Sequence, residues 1–345
     1  MPERGRLILY APNVHTGGGL VLLQALLDAW PDDEPLLAWL DARARPVLKC
    51  PSTARLNWVR ATVFSRLAAE HSLGRLAEKR DTVLCFHGLP PLRRTASRIW
   101  LFQQNRIHLG QVPLAAYGWK TRNRLRLERL ISRVLRRRVA RYLVQTPSMA
   151  KALREWHGAD PADIQVLPFV PLASTLPKIE GARSWDFIYV ADGEAHKNHR
   201  ALIDAWIILA RQGLTPSLAL TLSSRDRDLK AWVEGRVSAF SLNIIDLGHV
   251  PHRKALELYA SARALIFPSI AESFGLPLLE ARNAGLPILA GELDFVRDVC
   301  EPAETFDPSS PVSIARSVKR FLGEPEPRCE PVSASAFLDA LMKEV

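Results

Sequence analysis

Cysteine is scarce in this chain. Cys50, Cys85, Cys300 and Cys329 are scattered along 345 residues with no C-x-x-C pair among them. That argues against a disulfide framework or a cysteine-based metal site, and it fits unpaired thiols in a reducing cytoplasm. Long apolar runs are missing as well. None approaches the roughly 18 residues of a membrane-crossing helix. The opening MPERGRLILYAP has no extended apolar stretch before its first strand-like run, so no signal peptide is expected. The G-x-G-x-x-G fingerprint of dinucleotide binding and the Gly-Lys-Ser/Thr of a P-loop are both absent, which speaks against a nicotinamide-dependent oxidoreductase and a P-loop nucleotidase. No repeat of 20–50 residues and no low-complexity tract occurs.

What remains is ordinary globular composition, 48% hydrophobic and 24% charged. The length suits two domains better than one core. The charge is divided unevenly. Residues 1–180 carry 28 Lys and Arg against 14 Asp and Glu, whereas residues 181–345 carry 18 against 22. A polyanionic partner should therefore meet the first half.

Strand-like and helix-like segments alternate. RLILYAP (6–12) runs into an apolar-rich helix at 18–30, and TVLCFHG (82–88) and RIWLFQQN (98–105) read as further buried strands. A long arginine-rich helix covers about 119–139, followed by a strand at 141–147 and a helix with Ser148 as N-cap and Gly158 as its stop. IQVLPFVP (164–171) leads into a proline-punctuated linker at 171–184. The alternation then restarts, with strands at 185–193, 217–224, 263–268 and 286–291 and a shorter one in NIIDLGHV. Helices separate these strands and continue near 293–299 and 311–322. The expected fold is α/β: two Rossmann-like domains whose parallel sheets face each other across a cleft. The boundaries read as 1–175, 180–325 and a C-terminal helix at 326–345, with a return to the first domain as one placement of that helix. Ligands of such sheets sit at the carboxyl ends of the strands.

Three loops fall at those ends. HTGGGL (15–20) lies where the first strand turns into the first helix. Gly17, Gly18 and Gly19 would let the backbone approach a phosphate beside a helix N-terminus; the alternative is a tight turn and no more. DGEAHKNH (192–199) offers Lys197 to an anionic group, or is a solvated loop. PSIAESFGLPLLEARNAGLP (268–287) is more specific. Pro277 suits a first helical turn, so the N–H groups of Ser273, Phe274, Gly275 and Leu276 should point into the cleft. Glu272 lies just before that turn and Glu280 about one turn into the helix. Both carboxylates would then border a pocket suited to a polyhydroxylated anion such as a nucleotide sugar. Otherwise Glu280 simply faces solvent near a helix start.

Glu272 and Glu280 within PSIAESFGLPLLEA resemble the E-x7-E motif of the retaining GT-B glycosyltransferases, specifically glycosyltransferase family 4 (glycosyl transferases group 1). GHVPHRKALELYASARALIFPS, YVADGEAHKNH and the early HTGGG turn fall in the family's order, and residues 293–322 resemble the tail of bacterial lipopolysaccharide and capsule members. The similarity is close over about 186–322 and weak before it.

The resemblance implies transfer of a sugar from a nucleotide-sugar co-substrate to a glycan or lipid-linked acceptor, with retention, no cofactor and no required metal. It implies that Glu272 contacts the donor sugar, that Glu280 binds the ribose, and that Lys197 neutralises the leaving diphosphate. The N–H groups after Glu272 would hold the sugar or the diphosphate. Gly17 to Gly19 would close on the donor from the other domain, Val250 and Arg253 would complete the donor site, and His87 would contact the sugar unless it is merely a satisfied loop histidine. The family usually has an arginine five residues before the lysine; here that residue is Asp192, and Arg253 or Arg225 would have to substitute. Gln103, Gln104, Asn105 and Arg106 stand where the family often has His-Asp, so no catalytic base is expected there. Asp226-Arg227-Asp228 reads as a solvated helix start rather than a metal site.

The segment 118–143 carries ten Lys and Arg and one acid, Glu128, between residues 120 and 141. Leu125, Leu127, Leu130, Ile131, Val134, Leu135 and Val139 include an apolar face at helical spacing. A basic amphipathic helix over 119–141, with Arg124, Arg133, Arg136, Arg137 and Arg138 at the surface, reads as a contact for anionic lipid head groups. The expected location is cytoplasmic, peripheral to the inner face of the membrane. A solvated helix packing its apolar face is the plain alternative. A non-catalytic nucleotide-sugar-binding protein, encouraged by Asp192, is one rival class. A nucleic-acid-binding protein is another; the arginines lack interleaved aromatics, so no nucleic-acid partner is expected.

Overall fold

The computed structural model describes residues 5–158, 163–170, 183–324, 326, 333–335 and 341–342. The linker expected at 171–184 and the helix expected at 326–345 lie largely outside these residues.

The first half builds one parallel sheet. Its strands are β1 (Leu7–Ala11), β2 (Leu37–Asp41), β3 (Arg55–Val59), β4 (Thr82–Cys85), β5 (Arg98–Phe102), β6 (Arg141–Val144) and β7 (Asp163–Val166), in the order β3-β2-β1-β4-β5-β6-β7. Helices α1 (Gly17–Asp28), α2 (Val63–Leu76), α3 (Trp119–Leu135) and α4 (Pro147–His157) connect them.

The second half repeats the plan with β8 (Trp185–Tyr189), β9 (Leu218–Leu220), β10 (Ile244–Asp246), β11 (Ala262–Phe267), β12 (Ile288–Gly291) and β13 (Glu304–Phe306), ordered β10-β9-β8-β11-β12-β13. Its helices are α5 (His199–Arg211), α6 (Arg227–Phe240), α7 (His252–Ala260), α8 (Leu276–Asn283), α9 (Asp294–Arg297) and α10 (Pro311–Leu322). Every strand pair is parallel. Central strands such as FIY of β8 and ALIF of β11 are buried throughout, as sheets covered on both faces require. The strand order reverses between β1 and β4 and between β8 and β11, and each reversal opens a crevice at the carboxyl ends of its sheet.

Three details differ from the sequence expectations. The stretch 31–81, to which no elements were assigned, holds β2, β3 and α2. Helix α4 is capped by Thr146, whose side chain accepts from the Met149 N–H, and not by Ser148; Pro147 occupies the first turn, so the cap precedes it. Helix α3 ends at Leu135, and a single tighter turn, Arg136–Arg138, follows it.

The two halves touch through specific contacts. The Thr146 hydroxyl donates to the Ser273 carbonyl at 3.3 Å, and the Ser148 N–H donates to Asp298 at 2.8 Å. The Tyr117 hydroxyl meets His196 Nδ1 at 3.1 Å. Around it Ile107, Val112 and Leu125 pack against Ala271.

Candidate active site

The loop after β8 carries Lys197, and the geometry of that loop is tightly set. Tyr189 donates from its hydroxyl to the Lys197 carbonyl at 2.7 Å and pairs with the Ser269 hydroxyl at 2.9 Å. Asn198, in the left-handed region at φ 61°, donates from its amide to the carbonyls of Pro268 and Pro308. The Ile270 N–H reaches the His196 carbonyl at 2.9 Å. These bonds stitch the loop to the segment after β11, so the two strand ends form one rigid rim.

Across that rim Lys197 Nζ lies 2.6 Å from Glu272 Oε1, with side-chain exposures of only 16% and 12%. Burial works against the lysine's charge, but Glu272 and Asp192 outweigh it and raise the pKa above its ordinary value. The ammonium is therefore charged across the physiological range. Glu272 follows Ala271 of the apolar interdomain cluster, which places the ion pair at the junction of the halves.

Helix α8 starts directly after it. Gly275 is the N-cap at φ 70°, a left-handed conformation that glycine adopts without strain, and Pro277 fills the first turn. The N–H groups of Ser273, Phe274, Gly275 and Leu276 have no acceptor among the described residues. They form a row of donors at a helix N-terminus, an environment that favours anionic oxygen. Phe274 itself is buried in the core of the second half.

Gly17–Gly19 begin α1 on the facing side. A Cβ at Gly18 would sit 3.0 Å from Leu276 Cδ1, and one at Gly19 would sit 3.1 Å from Gln104 Oε1. The glycine turn thus lies directly over the start of α8. The absence of side chains allows that approach. Gln104 donates to the Phe86 carbonyl at 2.8 Å, and Gln103 is 1% exposed, so this pair acts as scaffold for the first half's rim.

Glu280 does not face solvent alone. Its carboxylate receives His252 Nε2 at 2.7 Å and the Tyr259 hydroxyl at 2.9 Å. The bond to Glu280 raises the His252 pKa against the opposing effect of burial. Val250 is half-buried in the loop before α7. Arg253 is 92% exposed beside Glu257, and Arg225 is exposed too; neither contacts the Lys197–Glu272 pair. Asp192 stands on the same loop as Lys197 and adds negative charge beside it. Asp226 accepts two bonds from Ser223, at 2.8 and 2.7 Å, which employs it in the start of α6. No cluster of metal-ligand type occurs among the described residues.

His87 follows β4, at the carboxyl end of the first sheet. Burial, with Arg66 and His108 adding to it, lowers its pKa to about 4, so the imidazole is neutral at pH 7. Nδ1 is buried and has no hydrogen-bond partner among the described residues.

The arginine helix divides its duties. Arg133 stacks over Trp156 at 3.9 Å, Arg136 donates to the Arg133 carbonyl at 3.2 Å, and Arg138 donates to the Leu92 carbonyl at 2.5 Å. Arg129 holds the carbonyls of Ile107 and Val112, and Arg124 lies 3.8 Å from Glu128. The apolar residues split into two faces. Leu125, Leu135 and Val139 are buried, whereas Leu127, Leu130 and Val134 are 56%, 58% and 66% exposed. No helix among the described residues is long and apolar enough to cross a membrane.

Comparison with known proteins adds to this geometry. Residues 177–335 match the family model of Glycosyl transferases group 1. The serotype-specific mannosyltransferase WbdA of Escherichia coli is 31% identical over 150 residues, which is 43% of this chain and 18% of that protein. The O-antigen chain mannosyltransferase B of Escherichia coli is 31% identical over 113 residues, 32% of this chain and 30% of that protein. The matches thus span under a third of these relatives' own length. Among solved structures, Anabaena Alr3699/HepE, determined with UDP and glucose, has a TM-score of 0.66 at 12% identity over 92% of this chain and 90% of its own. Sucrose-phosphate synthase from Thermosynechococcus elongatus has a TM-score of 0.68 at 15% identity over 93% and 90%. WaaG, a glycosyltransferase involved in lipopolysaccharide biosynthesis, has 0.63 at 16% over 92% and 90%. At these identities the likeness is one of fold: the chain has the GT-B arrangement of two parallel sheets with their helices.

Proposed function

We propose that this protein is a retaining glycosyltransferase that moves a sugar from a nucleotide-sugar donor to a lipid-linked or surface-polysaccharide acceptor, without a required metal. The observation that carries the reading is the buried Lys197–Glu272 pair beside the unoccupied N–H groups of α8, beneath the glycine turn of the other half. In sugar transfer the anomeric bond to the diphosphate breaks, its electron pair leaves with the diphosphate oxygen, and an acceptor hydroxyl supplies the new bond and passes its proton to that departing oxygen. Negative charge grows on the leaving group. Lys197 and the start of α8 are placed to meet it, and such preorganised donors act most strongly where water is excluded. Glu272, held by Lys197, is the group offered to the sugar hydroxyls. His252 and Tyr259 hold Glu280 ready for the ribose. Asp192 shifts the burden of charge neutralisation onto Lys197 and the helix donors.

The similarity to O-antigen mannosyltransferases makes mannose the first donor sugar to try. The exposed Leu127–Leu130–Val134 face beside Arg126 and Arg137 is proposed as the contact with an anionic membrane surface that carries the acceptor. A panel of GDP, UDP, ADP and dTDP sugars tests donor binding by thermal shift, followed by assignment of the product's anomeric configuration by NMR. Inverted product, or no donor that stabilises the protein, would overturn the reading. The second reading, a nucleotide-sugar-binding protein without catalysis, is favoured by Asp192; it predicts a stabilising donor that is neither transferred nor hydrolysed.

A further inference from the structure

The first half has a second cavity far from the cleft. It lies at the amino ends of β5 and β6, where the loop 90–97 meets the turn that follows α3, and it measures about 260 Å³. Arg93, Arg94, Arg137 and Arg138 line it together with Thr95 and Ser97, and no carboxylate does.

The neighbouring groups explain the shape of this cavity but not its charge. Arg138 donates to the carbonyls of Pro91 and Leu92. From the α2 side, Glu70 accepts the N–H groups of Leu92 and Arg93 at 3.0 and 2.9 Å, so both its oxygens are taken by backbone. Ser97, 8% exposed, donates to the Thr95 hydroxyl at 3.0 Å. The loop is thus fixed from two sides. Arg93, Arg94 and Arg137 have no ion pair among the described residues. Converging like charges repel, and no bond within the fold draws these three together. Guanidinium forks and hydroxyls around a small concavity are the donor set that matches phosphate oxygens.

We propose that this cavity binds a phosphate group, as a phosphomonoester or diphosphate, supplied by a free anion or by an anionic lipid head group. Such a ligand is distinct from the donor, whose site lies at the carboxyl ends of the strands. The inference does not depend on the reaction proposed above.

The test compares the full chain with the R93Q/R94Q/R137Q variant and with Lys197→Ala, using inorganic pyrophosphate as the soluble probe in thermal-shift titrations. The unliganded circular dichroism spectrum of the triple variant serves as the folding control. The expected result is a pyrophosphate response that survives Lys197→Ala and becomes at least about tenfold weaker in the triple variant. A parallel sedimentation assay uses phosphatidylcholine vesicles with and without phosphatidylglycerol. Loss of the pyrophosphate response alone in the triple variant assigns a free phosphate. Loss of phosphatidylglycerol-dependent sedimentation, shared by an R93Q/R94Q variant that keeps Arg137, Leu127 and Leu130, assigns a lipid head group and separates this cavity from the proposed contact on α3. A triple variant matching the wild type in both assays would overturn the proposal, as would a pyrophosphate response abolished only by Lys197→Ala.

Discussion

The two halves share one architecture, yet their residues announce themselves differently. In the second half the informative residues lie close in sequence: Glu272, the Ser273–Leu276 turn and Glu280 form one segment, and Lys197 joins it through a loop tied by Tyr189, Asn198 and Ile270. In the first half the residues near the cleft come from separate strand ends: Gly17–Gly19 after β1, His87 after β4, Gln104 after β5 and Thr146 after β6. A contiguous site leaves a motif, whereas a dispersed one leaves only loops. The second half, proposed above to take the donor, can therefore be read from spacing. The first half, proposed to take the acceptor, has to be read from structure.

The sharpest way to break this comparison is to remove the cation of the second half. Lys197→Ala should lower transfer by at least about 100-fold, the usual loss when one preorganised charge donor is deleted. It should also destabilise the fold, because Glu272 is left buried without its partner. Steady-state kinetics and thermal melts measure the two effects, and an active, equally stable variant would remove Lys197 from the site.

A smaller effect tests whether the halves work against each other. Gly18→Val pushes its side chain into Leu276, which already lies 3.0 Å from the Cβ position. Transfer should fall roughly tenfold, and Leu276→Ala should restore part of it, a coupling expected of residues in contact. Additive losses would mean that the glycine turn and α8 do not meet in the working enzyme.

The His252–Glu280 pair gives a pH signature confined to the second half. The His252 pKa is raised in the folded state, so its contribution to stability is complete below the ordinary histidine value of about 6.5 and fades as pH rises through the raised value. Melting temperatures of wild type and His252→Gln should differ most at acidic pH and converge toward pH 9. A constant gap would show that the pair is held by packing alone.

The smallest change concerns the surface of the first half. Leu127→Asp with Leu130→Asp should leave the melting temperature nearly unchanged, since both side chains are more than half exposed, while reducing sedimentation with anionic vesicles. Equal recovery of wild type with neutral and anionic vesicles would remove the membrane contact.

Much of the fold was legible because buried parallel strands such as ILYA and ALIF are short apolar runs between helices. The stretch 31–81 was opaque for physical reasons. β2 is only LAWLD, following the acidic PDDEP turn, and α2 presents Val63, Phe64 and Leu67 to solvent while burying Ala69 and Leu73. Its apolar pattern therefore misreports its inner face. Thr146 and Ser148 are both capping residues, and Pro147 between them decides for Thr146. In the candidate site, the closeness of Glu272 to the turn before α8 follows from sequence spacing, whereas Lys197 reaches Glu272 from a separate strand-end loop. The partners of Glu280 carry a fainter signal, since His252 and Tyr259 stand seven apart on α7 and share a face without forming a motif with Glu280. The helix arginines were read as one surface, whereas Arg129, Arg133 and Arg138 serve carbonyls and a tryptophan ring.

Lys197, Glu272 and the start of α8 are proposed to form a sugar-donor site. Calorimetric titration of wild type and Lys197→Met with a panel of nucleotide sugars tests it most directly. The expected result is one donor that binds the wild type and binds the variant at least about tenfold more weakly. Equal affinity in both proteins, or no binding by any donor, would contradict it.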